Sequence, residues 1–187
     1  MNTDASTLPF EILKIALLLL CLACPFPAIA KEPIHVVQGM VVKVADGDTI
    51  TVNSDGNKVK VRLYGIDAPE VQRMNHKTGY VSKLGQPYGD EASRALASKV
   101  LRQRVRVEVM DIDRYRRSVC VVWKDGRNVN QEMVAEGWAW AYRQYLDRPH
   151  SSEYVSLEEK ARRLHRGLWT QGNPMPPWEF RKLQRIQ

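Results

Sequence analysis

Two short stretches of this sequence carry residue types that can bind a metal ion or move a proton. DGDT places Asp48 in a turn between apolar segments, and VRLYGIDAPE carries Arg62, Asp67 and Glu70 around the end of a predicted strand. Each stretch alone has an ordinary structural explanation, because Asp and Gly are common turn formers. Together, carboxylates from two neighbouring strand ends can share a hard divalent cation, which prefers oxygen ligands. Arg62, on the outward face of its strand, would then offer a planar pair of donors to a phosphate.

A third cluster of charged residues is DRYRR, residues 113–117, which lies between two predicted strands. The simplest interpretation is a solvated basic hairpin. The alternative is a phosphate clamp in which arginines hold the phosphate and Tyr115 offers a face on which a base can stack. The sequence alone leaves both interpretations open.

The elements that must position these residues begin with β-strands. Three apolar, β-branched segments at residues 36–44, 48–52 and 58–64 are separated by turns, of which Asp55-Gly56 is a strong hairpin signal. Two further strands are predicted at residues 105–110 and 118–123. Five short strands with one helix between the third and fourth predict an α+β, mainly β fold, a five-stranded OB-type β-barrel with three helices.

The predicted helices begin with one that Asp90 caps and that ends near Arg102. A short helix at 130–136 and a final helix at about 152–166 follow the barrel strands. Residues 71–87 are predicted to form an exposed loop. The Pro-rich tail, residues 170–187, is predicted to pack as an irregular extension of a core that spans about residues 36–169.

The first 30 residues predict a secretory signal peptide. The apolar run IALLLLCLAC at residues 15–24 is followed by prolines and by a small-x-small site that ends at Ala30. We expect cleavage after Ala30 and export to the periplasm or the medium, with attachment as a lipoprotein through Cys24 as the alternative. Ten apolar residues are too few to span a bilayer. We therefore expect residues 31–187 to form one exported domain without a stable membrane span, acting as a monomer.

The charge of the chain favours polyanionic partners. Its formal net charge is +7, and removal of the first 30 residues, which contain Asp4, Glu11 and Lys14, would raise it to +8. Such a surplus favours nucleic acid first and anionic membrane second. Of three cysteines, only Cys120 lies outside the predicted signal peptide. This excludes a disulfide framework and a cysteine-based zinc site in the predicted domain.

Five motifs in fixed order carry a family resemblance that covers about residues 36–169. DGDT, RLYGIDAPE, YGDEA, DxYxR and GWAWAY occur here in the order found in the staphylococcal (micrococcal) thermonuclease family, which this chain resembles. The resemblance implies a secreted, calcium-dependent phosphodiesterase. It would hydrolyse DNA and RNA with little sequence preference and leave 3′-phosphorylated products.

The same resemblance implies a role for individual residues. Ca²⁺ would be held by Asp48, Asp67 and the backbone carbonyl of Ala68. The catalytic residues would be Arg62, Glu70 and Arg117. The nucleic acid would be bound by Tyr115, Tyr142, Tyr145 and Arg116.

Arg116 is the departure from the family pattern that matters most. The family often has Gly at this position, and if that Gly has a positive φ the loop must adapt here. Arg116 also competes with Arg117 for the role of second catalytic arginine, although spacing from Tyr115 favours Arg117.

Two alternative functions are compatible with the same sequence features. One is an exported, non-catalytic OB-fold module that binds nucleic acid, since relatives of a fold can lose catalysis. The other is a basic structural protein of the cell envelope. A module without catalysis would be expected to lose at least one charged motif residue, and this chain retains all five: Asp48, Arg62, Asp67, Glu70 and Arg117.

Overall fold

The computed structural model describes residues 31–75, 77–146 and 150–185 of the chain, so the predicted signal peptide lies outside the described residues. The strands in chain order are β1 (His35–Asp46), β2 (Thr49–Ser54), β3 (Asn57–Leu63), β4 (Ile66–Asp67), β5 (Arg73–Met74), β6 (Val81–Lys83), β7 (Arg104–Ile112), β8 (Ser118–Lys124), β9 (Arg127–Asn128) and β10 (Trp140–Ala141). The α-helices are α1 (Gly89–Val100), α2 (Val129–Ala135), α3 (His150–Arg163) and α4 (Pro177–Leu183). Single 3₁₀ turns cover Arg143–Tyr145 and Gly167–Thr170.

Five long strands close into a barrel, as the sequence predicts. The sheet order is β3-β2-β1-β7-β8, extended at its edge by β9, and β3 closes the barrel by pairing parallel to β8. The closing register sets Arg62 opposite Val119 and Leu63 opposite Cys120. The α+β class and the OB-type barrel are thereby confirmed.

Alternation along β3 explains why this strand both anchors the barrel and carries a functional side chain. Val61 and Leu63 are almost fully buried, whereas Arg62 between them is only partly buried and lies on the other face. Side chains alternate between the two faces of a strand. The apolar residues therefore fix the register that delivers Arg62 to the outside of the barrel.

Asn130, at the start of α2, joins the barrel to the chain segment that leaves β3. Its Nδ2 atom donates to the carbonyl oxygens of Tyr64 at 3.0 Å and Cys120 at 2.9 Å, and its Oδ1 accepts from the amide of Val122 at 3.0 Å. Asn130 is fully buried. These bonds hold the end of β3 where the candidate site begins.

The structure differs from the sequence expectation in residues 71–87 and at the beginning of α1. The predicted loop at 71–87 contains the small hairpin β5–β6. Helix α1 begins at Gly89 after Tyr88 with φ 67°, so the prediction that Asp90 caps it is wrong. Asp90 lies in the first helical turn, where the helix dipole favours negative charge.

The C-terminal extension contains a helix that the sequence does not predict. The described residues hold four α-helices, the fourth being α4, which has Pro177 in its first turn. Seven residues are too few to form a stable helix in isolation. Helix α4 instead depends on packing, because Trp178 packs against a small cluster formed by Trp140, Leu168 and their neighbours. Across the described part of the chain, no helix has both the length and the apolarity needed to cross a membrane.

Candidate active site

A cavity of about 820 Å³ opens at the end of the barrel where β3 leads into β4. Its walls come from the β1–β2 turn, the loop between β7 and β8, the 3₁₀ turn at 143–145 and the C-terminal segment. Among the described residues, positive side chains outnumber negative ones in its lining. The cations are Lys31, Arg62, Arg73, Lys83, Arg114, Arg117, Arg181 and Arg185, and the acids are Asp46, Asp48, Glu70, Asp111 and Asp113.

The β1–β2 turn brings Asp48 to this cavity through a close backbone approach at Gly47. A Cβ atom at Gly47 would stand 2.7 Å from the Cβ of Ala68 and 2.8 Å from that of Ala92, so only Gly fits. Asp48 is buried, and its Oδ2 accepts from the amide of Ala68 at 2.8 Å. Asp48 thus tethers the turn to the segment that follows β4.

Arg62 joins the two buried carboxylates of the site. Its Nη2 donates to Asp67 Oδ1 at 2.6 Å, and its Nη1 pairs with Asp48 Oδ1. Gly65, with φ 72°, turns the chain back so that Asp67 returns to the arginine five residues before it. Asp67 is fully buried and its backbone pairs with Trp140. Asp48, Arg62 and Asp67 therefore form one ion-paired unit, in which Asp48 and Arg62 line the cavity and Asp67 lies buried behind them.

Glu70 lies in the same cavity and binds two cations that the sequence does not connect with it. Its Oε2 pairs with the Nζ of Lys83 on β6, and its Oε1 accepts from Arg181 Nη1 at 2.9 Å. The amide of Glu70 donates to Gln86 Oε1 at 3.0 Å. Glu70 is 6% exposed, so these partners replace water around its carboxylate.

Arg117 also lines the cavity and is held by Asp113. Its Nε donates to Asp113 Oδ2 at 2.7 Å, and its backbone amide donates to Oδ1 at 2.9 Å. Partial burial alone would raise the pKa of Asp113, but the bonds and charge of Arg117 lower it below the ordinary value. Arg116 is exposed, is not part of the cavity lining and has φ 58°. The position where the family often has Gly therefore has a left-handed backbone, and Arg116 itself adopts it.

The three predicted pocket tyrosines all line the cavity but differ in exposure. Tyr115 and Tyr145 are 63% and 59% exposed, whereas Trp178 stacks on the ring of Tyr142 with centroids 5.3 Å apart and an interplanar angle of 8°. The guanidinium of Arg114 lies 4.8 Å from the centroid of Tyr115. Burial, with a smaller effect from the charge of Asp67, raises the pKa of Tyr142. The rings of Tyr115 and Tyr145 are therefore exposed to solvent, whereas Trp178 covers one face of Tyr142.

Arg181 is the site residue that sequence reasoning missed most completely. Its Nη2 donates to Asp67 Oδ2 at 2.7 Å across 114 positions of the chain. Partial burial alone would lower the pKa of Arg181, but Asp67 and Glu70 raise it above its ordinary value. Lys83 was missed too. The one available signal was the segment WEFRK, an aromatic and basic stretch directly after two prolines.

The two carboxylates of the ion-paired unit, Asp48 and Asp67, fit a hard cation. Asp48 and Asp67 supply only oxygen atoms, and both are buried, which suits a divalent cation of the calcium class. Each carboxylate already binds a positive group: Asp48 pairs with Arg62, and Asp67 pairs with both Arg62 and Arg181. Positive charge is therefore favoured at this position. Within the described residues no set of three or more His, Cys, Asp or Glu side chains is arranged to hold a metal ion. The protein would therefore supply part of a coordination shell.

The fold and this cavity define a class: a small OB-type barrel with a cavity at one end that is lined by arginines and carboxylates. Sequence comparison agrees with that class, because the profile of the family described as staphylococcal nuclease homologue matches residues 60–171. The chain belongs to the staphylococcal nuclease family, whose members are metal-dependent nucleases. The matched range contains Arg62, Asp67, Glu70 and Arg117, while Asp48 precedes it.

Individual relatives support this assignment over most of the chain. A protein of Haemophilus influenzae described as an uncharacterized endonuclease is 38% identical over 78% of this chain and 74% of its own length. Protein ParB of Escherichia coli is 37% identical over 92% of both chains. A micrococcal nuclease of Shigella flexneri is 36% identical over 79% of this chain and 82% of its own.

Proposed function

We propose that this protein is a calcium-dependent nuclease that hydrolyses phosphodiesters of DNA and RNA with little sequence preference and leaves 3′-phosphorylated products. The observation that carries this proposal is the ion-paired unit of Asp48, Arg62 and Asp67 beside a cavity in whose lining the cations outnumber the acids. Family membership supports nuclease activity, and the chemistry of the donors supports calcium.

The cation would be held by Asp48, Asp67 and the backbone carbonyl of Ala68. When bound there, Ca²⁺ would supply Lewis-acid polarisation of a phosphate oxygen. Few protein carboxylates take part, so a weak cation site is expected, one that is completed by the substrate and by water. Substrate and cation would then bind more tightly together than either does alone.

Arg62 and Arg117 would hold the remaining phosphate oxygens. Both are permanently charged, both line the cavity, and each is anchored by an aspartate, Arg62 by Asp67 and Arg117 by Asp113. Because these donors are positioned before charge develops, they stabilise the transition state more than the ground state. Their fixed geometry, rather than their charge alone, is what the proposed catalysis requires.

Glu70 would act on the attacking water. In the proposed reaction the water oxygen forms a bond to phosphorus, its proton passes to Glu70, and the bond from phosphorus to the 5′ oxygen breaks. That oxygen takes a proton from solvent water and leaves as a 5′ hydroxyl, while the phosphate stays on the 3′ oxygen. General base catalysis of this kind contributes about 10²–10⁴-fold to rate. Glu70 must first be released from Lys83 or Arg181, which bind its carboxylate in this structure.

The surfaces around the cavity support the proposal of low sequence preference. Tyr115 and Tyr145 offer exposed rings on which any base can stack, and the surrounding lysines and arginines bind the backbone. The net positive charge of the chain would concentrate nucleic acid near the site in a salt-dependent manner.

The test is digestion of single-stranded DNA, duplex DNA and RNA, first with a chelator and then with added calcium. We expect no cleavage with chelator, cleavage of all three substrates with calcium, and fragments whose 5′ hydroxyls accept a labelled phosphate from a kinase. Intact substrates in calcium across a range of pH would exclude the nuclease and leave the non-catalytic binding module. Cleavage that survives chelation would remove the cation site from the proposal.

A pair of variants makes this test specific. Asp67→Asn should abolish calcium-dependent cleavage because Asp67 lies fully buried at the proposed cation site. Asp55→Asn removes the same charge from an exposed turn between β2 and β3 and should keep the parent rate. Equal losses in both variants would indicate a general effect of charge.

We also propose that the protein is exported and acts as a monomer. The apolar run and small-x-small site before Lys31 support removal of residues 1–30, and mass spectrometry of the exported protein should find Lys31 at its N-terminus. A single chain supplies every group of the proposed site, which supports a monomer. Light scattering after size-exclusion chromatography tests the second point.

A further inference from the structure

Helix α4 places the guanidinium of Arg181 on two carboxylates of the proposed site. Nη2 donates to Asp67 Oδ2 at 2.7 Å, and Nη1 donates to Glu70 Oε1 at 2.9 Å and to Asp67 Oδ1 at 3.2 Å. Arg62 donates to that same Oδ1 at 2.6 Å. Both oxygens of Asp67, which is fully buried, are therefore bound to arginine.

The position of α4 is fixed by two contacts that precede Arg181 in the chain. Trp178, three residues earlier and so on the same face of the helix, stacks flat on Tyr142. Before the helix, Gln86 Nε2 donates to the carbonyl of Met175 at 3.1 Å. A helix of seven residues has little stability of its own. Its place over the cavity therefore depends on these contacts.

Arg181 and a divalent cation cannot both use Oδ2 of Asp67, the oxygen that Arg62 does not bind. A calcium ion needs carboxylate oxygens at about 2.3–2.6 Å, and the two-point contact of a guanidinium covers both oxygens of the group. A cation brought to Asp67 would also stand beside the positive charge of Arg181, and the two repel each other. One positive group must leave before the other binds.

We propose that Arg181 is a built-in competitor for the cation and thereby sets the affinity of the site for it, an inference that rests on the proposed function. With α4 seated, Arg181 takes the position of the cation and Trp178 takes the position of a base on Tyr142. Cation binding displaces Arg181, which removes one of the two cations that hold Glu70. Departure of Trp178 with the helix opens the face of Tyr142 to the nucleic acid.

The weakening of cation binding depends on the fraction of molecules in the open state, in which α4 is unseated and Arg181 has left Asp67. The apparent dissociation constant equals the intrinsic constant divided by the fraction of molecules in the open state. If α4 is unseated in about one molecule in ten, cation binding is weakened about tenfold. Removal of Arg181 should therefore tighten cation binding by the same factor, because the cation ligands are unchanged.

The first experiment measures calcium binding by titration calorimetry in the absence of nucleic acid. Arg181→Gln should lower the dissociation constant for calcium by about tenfold, the factor expected if α4 is unseated in about one molecule in ten of the parent. Lys182→Gln removes the same charge from the next, exposed position of α4 and should change the constant less than about twofold, because surface charges interact weakly. Arg185→Gln, at a lining residue beyond the helix, measures the general effect of removing charge from the cavity.

A second variant tests the helix rather than the charge. Trp178→Ala leaves every charge in place but removes the stack on Tyr142, so it should tighten calcium binding in the same direction as Arg181→Gln. Parent and variants should also differ in cleavage at limiting calcium, where Arg181→Gln is expected to be faster. At saturating calcium the difference should disappear.

The outcomes separate this inference from the proposed function. Equal calcium affinity in the parent and both variants, with cleavage intact, overturns the competition and leaves the nuclease standing. Unchanged affinity with a lower kcat/KM for Arg181→Gln would also overturn it, and would make Arg181 a phosphate-binding residue. Absence of calcium binding in every variant would overturn both. If Arg181→Gln does not fold, as judged by thermal unfolding, the result for Trp178→Ala decides.

Discussion

Arg117 is bound to Asp113 at two points, because its Nε donates to Oδ2 at 2.7 Å and its backbone amide donates to Oδ1 at 2.9 Å. Asp113 Oδ1 also accepts a hydrogen bond from the backbone amide of Tyr115 at 2.9 Å. Asp113 therefore organises the whole turn between β7 and β8 and orients the arginine toward the cavity. Arg116, between these residues, is exposed and lies outside the cavity lining.

The first prediction concerns the relative importance of the proposed catalytic residues. Arg62→Ala and Arg117→Ala should each lower kcat at least as much as Glu70→Gln, because loss of a positioned charged donor costs about 3 kcal/mol or more of transition-state stabilisation. Arg116→Ala should keep kcat within a few-fold, since its side chain lies outside the cavity lining. Single-turnover kinetics at saturating calcium measure the effect. A large loss for Arg116→Ala together with a small one for Arg117→Ala would reverse the assignment of the second arginine.

A second prediction concerns the pH dependence of the turn that holds Arg117. The pKa of Asp113 is lower in the folded protein than its ordinary value, so its contribution to stability is present above that ordinary value and is lost as the pH falls through the folded pKa. Asp113→Asn should reduce the free energy of unfolding at pH 7 by about 1 kcal/mol or less, given that the pair is partly exposed. The difference from the parent should shrink below about pH 4. A difference that is constant from pH 7 to pH 3 would show that charge is not its cause.

The backbone of Arg116 supplies the third prediction. A left-handed conformation costs a non-glycine residue about 1 kcal/mol relative to Gly, and Arg116 has φ 58°. Arg116→Gly should therefore raise the free energy of unfolding by about that amount, less the greater chain entropy of Gly in the unfolded state. Urea denaturation measures the change. Arg116→Ala keeps the strain and serves as the control, and equal stability of the two variants would contradict the explanation.

The close approach at Gly47 supplies the fourth prediction. Gly47→Ala would push a methyl group to within 2.7 Å of Ala68 and 2.8 Å of Ala92, both of which are buried. Overpacking of this kind costs about 1–3 kcal/mol, and the displaced turn should also weaken calcium binding through Asp48. Gly172→Ala is the matched control, because a Cβ there meets no atom within 4 Å. Thermal unfolding and calcium titration together show whether the effect is local to the site.

Much of the fold could be predicted from sequence because the relevant signals are local. Alternation of Val61 and Leu63 with Arg62 is a property of consecutive residues, and so is the turn signal at Asp55-Gly56. The beginning of α1 could not be predicted in the same way. A Cβ at Gly89 would collide with the carbonyl oxygen of Glu70, which is a tertiary contact, and Tyr88 adopts its left-handed φ at that junction.

The sequence by itself determined the barrel and the order of the charged motifs around it. Arg62 reaches Asp67 across five residues and Arg117 reaches Asp113 across four, distances that a turn can set without the rest of the chain. Tertiary structure alone decided what covers the site. Helix α4 is too short to form on its own, so it depends on the stack of Trp178 on Tyr142, and only that docking brings Arg181 to Asp67. The spacing of residues along the chain carries no information about a contact between positions 114 apart, because packing determines it.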